Sequence, residues 1–92
     1  MQESTAAPST RLQRGVRLYH EQGIQIAQTE GGTYIVPSCT GDGEYVVYAD
    51  HDFSFCSCPD HRRAVAANEV CKHRAAVEIV RAKRRARRRR AA

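Results

Sequence analysis

The chain has 92 residues, no tryptophan, only two phenylalanines and a net charge of +5. This length permits one small domain, and so small a core of Val, Ile, Leu, Tyr and Ala often needs a metal or disulfides. Because neither a long apolar run nor an apolar signal region occurs, we expect no membrane span and no secretion.

The expected location is therefore the cytoplasm, at the nucleoid in a prokaryote, or the nucleus in a eukaryote. In such a reducing compartment, clustered cysteines are more often metal ligands than disulfides.

The positive charge is concentrated at the C-terminus. Residues 81–90, RAKRRARRRR, carry eight positive charges and no negative ones, whereas residues 1–80 hold seven basic and ten acidic residues and sum to −3. Blocks of like charge are usually solvated interaction tails. We therefore predict an Arg-rich basic tail over residues 81–92.

The first predicted element is a helix over residues 11–22, which follows a small, polar segment, residues 1–10, predicted to be disordered. Leu12, Val16 and Tyr19 recur at helical spacing. This pattern predicts that they form the face of the helix that packs on the core.

Four short segments then show the patterns of β-strands. Alternation of apolar and polar residues at 24–26 and 34–36, and the β-branched and aromatic run at 44–48, predict strands separated by glycine-rich turns. Residues 53–56 are the predicted returning strand of a hairpin.

Two helices are predicted after this hairpin. A short one covers residues 61–67 behind Asp60, a good N-cap residue. A longer one begins near Cys71, and the Arg-rich tail either continues it or frays, because like charges repel along a helix. The expected fold over residues 11–80 is a small zinc-stabilised α+β domain with an N-terminal helix, a small antiparallel sheet of hairpins and a C-terminal helix.

The main chemical motif is C-x-C, twelve residues, then C-x-H, formed by Cys56, Cys58, Cys71 and His73. Alternate residues of a strand share a face, so the first two thiolates can meet at one point. Residues two apart in a helix diverge by about 200°. Cys71 is therefore predicted in the turn before the helix and His73 in its first turn, completing the four ligands of one structural Zn²⁺.

Alternatives to this ligand set are weaker. A Cys56–Cys58 disulfide would close a strained ring, and nothing marks one thiol as a nucleophile beside a base. His61 is the rival fourth ligand, although it is expected on an exposed spacer. Cys39 could contribute only if its loop folds onto the site.

The motif resembles the SWIM zinc finger. The similarity lies in Cys56-Ser57-Cys58-Pro59-Asp60, in Cys71-Lys72-His73 and in the preceding strand, Tyr45-Val46-Val47, and it spans roughly residues 33–80. The resemblance implies a hairpin-plus-helix fold around one zinc ion. It also implies Cys56, Cys58, Cys71 and His73 as ligands, and a role in binding DNA, other proteins or both.

The basic residues are the candidate contacts to DNA or RNA, largely through charge. Four flank the metal ligands and eight form the tail: Arg62, Arg63, Lys72, Arg74, Arg81, Lys83, Arg84, Arg85, Arg87, Arg88, Arg89 and Arg90. For the first four, an equally weighted alternative is that they are solvated and only balance the charge of the metal site.

Two other functions are alternatives to an accessory factor that binds nucleic acid. One is a protein–protein adaptor that recruits a recombinase, transposase or helicase, which the negative balance of residues 1–80 favours slightly. The other is an enzyme, which is not expected because four zinc ligands leave no open coordination position. No small-molecule substrate is expected.

Overall fold

The computed structural model describes residues 10–38, 43–50 and 54–91, which form a small α+β fold. The helices are α1 (Arg11–Gln22), α2 (His61–Ala66) and α3 (Lys72–Ala91), and a 3₁₀ turn at Gly23–Gln25 follows α1. The strands are β1 (Ala27–Gln28), β2 (Thr33–Pro37), β3 (Glu44–Ala49) and β4 (Ser54–Cys56). The predicted order of N-terminal helix, antiparallel sheet and C-terminal helix is confirmed.

The four strands form one antiparallel sheet in the order β1-β2-β3-β4. Alternation along the strands buries Tyr34, Val36 and Val47 on the inner face of the sheet, where α3 contributes the buried Val77 and Val80. The opposite, outer face carries the more exposed residues of each strand. Because α3 packs against β3 and β4, Cys56 at the end of β4 and Cys58 just beyond it lie near the start of α3.

Helix α1 begins at a capping box. The Thr10 hydroxyl accepts a hydrogen bond from the Gln13 backbone N–H, and the Gln13 side chain accepts one from the Thr10 backbone N–H. These reciprocal bonds satisfy two backbone donors that a helix start leaves without partners. Gly23 caps the other end.

The predicted core face of α1 is wrong for two of its three residues, since only Tyr19 packs against the core and it is partly buried. Leu12 is 62% exposed and Val16 is 38% exposed, whereas Gly15 and Leu18 are buried. The cause is a close approach of α1 to α3, because a Cβ on Gly15 would collide with the Cβ of Ala75. Only a glycine lets the two backbones approach so closely, and this contact turns Leu12 and Val16 toward solvent.

Helix α3 is continuous over 20 residues and about 30 Å long at 1.5 Å per residue. Its first half supplies buried core residues, among them Ala75, Ala76, Val77 and Val80, and its second half is mostly exposed. Of the two alternatives for the Arg-rich segment, continuation of the helix is the one observed.

The strand pattern predicted around Ile24 is also wrong. Ile24 lies in the 3₁₀ turn and is 95% exposed, because the Ile26 backbone N–H bonds to the Gly23 carbonyl and tightens the chain after α1. Pairing with β2 begins only at Ala27.

Several predictions fall on residues outside the described ranges. These are the predicted disorder of residues 1–9, the position of Cys39 and the first residue of the returning strand, Phe53. In the described ranges, no helix combines the length and the apolar character needed to cross a membrane.

Candidate metal centre

Two segments far apart in the sequence supply the four predicted ligands. Cys56 ends β4, and Cys58 lies just beyond it. Cys71 immediately precedes α3, and His73 lies in the first turn of that helix, as predicted. The pairing of β4 with β3 and the packing of α3 across the sheet bring the two segments together.

The ligand atoms of Cys56, Cys58, Cys71 and His73 all lie within 4.8 Å of one another, and all four residues are buried. The three thiols are free rather than disulfide-bonded. A convergent Cys₃His donor set of this kind is typical of structural zinc sites. The cluster could therefore hold one metal ion.

The imidazole of His73 provides a direct test of this fit. The residue is only 3% exposed, yet neither ring nitrogen has a hydrogen-bond partner among the described residues. A buried polar nitrogen without a partner is costly. Tyr45 contacts the ring, with the two centroids 4.5 Å apart, and so holds it in place. A metal ion bound by one ring nitrogen would satisfy it.

Backbone groups around the thiols favour ionised sulfur. Cys56, Cys58 and Cys71 accept hydrogen bonds from the backbone N–H groups of Cys58, Asp60 and Arg74, respectively. Such donation stabilises a thiolate, as does the start of a helix beside Cys71. The local backbone is thus arranged for anionic ligands.

The thiols also perturb one another. A hydrogen bond from the Cys56 thiol lowers the pKa of Cys71 to about 3, and the same hydrogen bond together with burial raises the pKa of Cys56. Burial and the nearby Cys71 sulfur raise the pKa of Cys58. A divalent metal would supply the positive charge that lets all three ionise.

Basic side chains surround the cluster unevenly. Arg63 and Lys72 line a cleft of about 310 Å³ that reaches Cys58, Cys71 and His73, and Arg62 joins Arg63 beside Cys56 and Cys58. Arg74 instead lines a separate groove between α1 and the end of α2. Three of the four residues predicted to flank the ligands are therefore close enough to offset a net charge of −1 on a Zn²⁺–Cys₃His centre.

Two arginines of α1 near the site were missed by the sequence reasoning. Arg14 lines the same cleft as Arg63 and Lys72. Arg11 bonds to both Asp60 carboxylate oxygens, at 2.7 and 3.1 Å, and to Glu69 at 2.6 Å. These contacts tie α1 to both ends of the spacer between the ligand pairs. Arg11 also lowers the pKa of Asp60, which caps no helix N–H with its side chain.

The predicted tail contacts occupy the second half of α3. Arg81 forms an ion pair with Glu78, and Arg84 donates to the Ile26 carbonyl at 2.9 Å, so both are half-buried. The other six are exposed: Lys83, Arg85, Arg87, Arg88, Arg89 and Arg90. Arg84 therefore has a structural role, whereas the six exposed cations are available to an external polyanion.

His61, the rival ligand, is not part of the cluster. Its ring packs edge-on against Phe55, with the centroids 5.1 Å apart. The first turn of α2 thus holds His61 away from the thiols, against the outer side of β4.

Comparisons of the chain with protein-family models, with curated proteins and with solved structures find no match. The site is a Cys/His cluster positioned to bind a metal, which is consistent with a zinc finger.

Proposed function

We propose that the chain is a SWIM-type zinc module that binds nucleic acid as an accessory factor. The observation that carries this proposal is the continuity of α3, whose first turn holds His73 and whose second half carries the exposed cations. A zinc ion that fixes the start of this helix would also orient its basic half relative to the sheet.

The zinc in this proposal is structural. Cys56, Cys58, Cys71 and His73 would hold it, and four protein ligands leave no open position for a substrate or a reactive water. The ion would cross-link β4 to α3 and supply folding free energy. We accordingly propose a binding module without catalytic activity.

The binding itself would be driven mainly by charge. Each Lys or Arg that neutralises a phosphate releases condensed counterions, so the affinity falls as salt rises. If about five cations engage duplex DNA, log K should fall against log salt with a slope near −4.5, at about 0.9 per contact.

Replacement of Arg85, Arg88, Arg89 and Arg90 by glutamine tests the charge mechanism. All four are exposed, and the substitution spares Arg84 and its hydrogen bond to Ile26. Salt-dependent fluorescence anisotropy with duplex DNA should show a slope that is shallower by up to about 3.6, because four phosphate contacts are lost. The matched Arg→Lys variant keeps the charge and should keep the slope.

An unchanged slope and affinity in the glutamine variant would remove the basis for binding through α3. The adaptor hypothesis would then take precedence. It is supported by the exposed Leu12 and Val65, which line a groove of about 740 Å³ between α1 and α2. Capture of the same protein partner with and without nuclease treatment would support the adaptor.

A further inference from the structure

The outer face of the sheet presents a band of apolar side chains to solvent. Val46 and Phe55 are 42% and 41% exposed, and their neighbours Ile35 and Tyr48 are half-buried. The strand register places Ile35 opposite Val46 and Tyr48 opposite Phe55, so the four side chains form two adjacent rows. Because α3 packs on the inner face, no part of the described core requires this band.

Two aromatic rings form one of these rows. Directly opposed residues on neighbouring antiparallel strands hold their Cβ atoms about 5 Å apart, so Tyr48 and Phe55 lie side by side. The Tyr48 hydroxyl bonds to Asp50 at 3.3 Å, and the His61 ring supports the edge of Phe55. Both rings are therefore positioned before any ligand arrives.

Cationic side chains lie at both ends of this aromatic row. Beyond Phe55, Arg62 lines the shallow cavity that Phe55 and His61 also line. Beyond Tyr48, Arg85 and Arg88 of α3 line a groove of about 670 Å³ that contains Tyr48. None of these three arginines has a hydrogen-bond or ion-pair partner among the described residues. The row thus has arginines near each end, and at the Tyr48 end the two arginines outnumber the single acidic side chain of Asp50, which lines the same groove.

We propose that this row binds single-stranded nucleic acid, with two bases stacked on Phe55 and Tyr48 and the flanking phosphates on Arg62, Arg85 and Arg88. Stacking on exposed aromatic rings beside a basic path is how proteins bind unpaired strands without reading sequence. In a duplex the base faces are already stacked, so the rings would gain nothing from it. This inference rests on the proposed nucleic-acid function and adds the form of strand that the module prefers.

Charge also favours a nucleic acid over a second copy of the chain as the occupant. Two copies pairing through this face would bring their flanking arginines together, and like charges across an interface are unfavourable. A phosphodiester backbone carries the complementary charge along its whole length.

Phe55→Ala is the direct test, with two matched controls on the same face. Phe55→Tyr keeps an aromatic ring, and Val46→Ala trims an equally exposed apolar side chain. The probes are a fluorescent thymidine oligonucleotide, its uridine counterpart and a duplex of equal length, and binding is followed by fluorescence anisotropy.

The wild-type chain should prefer the single strands, and Phe55→Ala should weaken their binding by roughly 5- to 150-fold, the range measured for loss of one stacked base. Phe55→Tyr and Val46→Ala should bind nearly as the wild type does, and the salt slope of Phe55→Ala should be unchanged because no charge is removed.

Equal binding of single strands by Phe55→Ala and the wild type, or a wild-type preference for duplex, would overturn the proposal. The proposal would also be overturned if the wild type sedimented as a dimer and Phe55→Ala sedimented as a monomer, because a second copy of the chain would then cover this face. If the Arg→Gln variant loses binding and Phe55→Ala does not, only the stacking inference fails. If the wild type binds none of the probes, the proposed function fails with it.

Discussion

The four predicted ligand residues show how much the sequence reveals at the scale of single residues. The geometry of Cys56 and Cys58, and of Cys71 and His73, follows from local rules for strands and helix starts, so the sequence predicts their places correctly. His61 was a rival on sequence grounds, and only the packing of its ring on Phe55 separates it from the thiols. Arg11 could not be predicted, because its partners lie 49 and 58 residues away in the chain.

The ligand set can be tested with Cys71→Ser and the control His61→Ala. Cys71 is fully buried in the cluster and precedes the helix that carries His73. Because serine is a poor zinc ligand, we expect Cys71→Ser to lose stoichiometric zinc in native mass spectrometry, and to lose its cooperative thermal transition. His61→Ala should retain one zinc per chain. Full zinc loading of Cys71→Ser, or zinc loss in His61→Ala, would show that the ligands are assigned incorrectly.

At the scale of elements, helix α1 shows why periodicity alone can mislead. Its helical extent was predicted correctly, but its buried face was not. The buried stripe contains Gly15 and Leu18 and continues to Arg11 at the next turn, so it is less apolar than the exposed stripe of Leu12 and Val16. A hydrophobic pattern does not show that the absence of a side chain at Gly15 allows close contact with α3. It also does not show that Arg11 is paired with acidic residues.

Gly15→Ala tests this close contact between α1 and α3. Helix propensity alone predicts that the substitution stabilises by about 1 kcal/mol. The added Cβ would collide with Ala75 and lie 2.9 Å from the Lys72 carbonyl oxygen. Overpacking of this kind costs about 1–3 kcal/mol, so we expect net destabilisation in chemical denaturation of the zinc-bound chain.

The double variant Gly15→Ala/Ala75→Gly removes one of the colliding methyl groups. It should therefore be more stable than the sum of the two single changes predicts, which a double-mutant cycle measures. A Gly15→Ala chain that gains stability would mean that α1 and α3 are not in close contact at this position.

The whole molecule combines an apolar core with a large, strongly basic surface on one helix. Among residues 10–38, 43–50 and 54–91, the large side chains that are fully buried are few, and they include Leu18, Ile26, Val36, Val47 and Val77. The charge asymmetry was evident from the sequence, but the unbroken course of α3 was not, because helix propensity and charge repulsion in the Arg-rich segment oppose each other. Packing of Val77 and Val80 on the sheet, and the bond from Arg84 to Ile26, anchor that helix through its middle.

With so small a core, a metal ion bound by the cluster would be the main determinant of stability. Zinc binding in small modules contributes on the order of 10 kcal/mol. This is as large as the whole free energy of unfolding of a typical small domain. The three thiols form no disulfide with one another. Their convergence with the imidazole would therefore stabilise the fold by binding a metal.

Zinc titration of the chelator-treated chain, followed by far-ultraviolet circular dichroism, tests this most directly. We predict that the metal-free chain loses much of its helical signal, and that the signal returns cooperatively and saturates at one zinc per chain. A native helical signal and an unchanged melting transition in the presence of chelator would contradict the account.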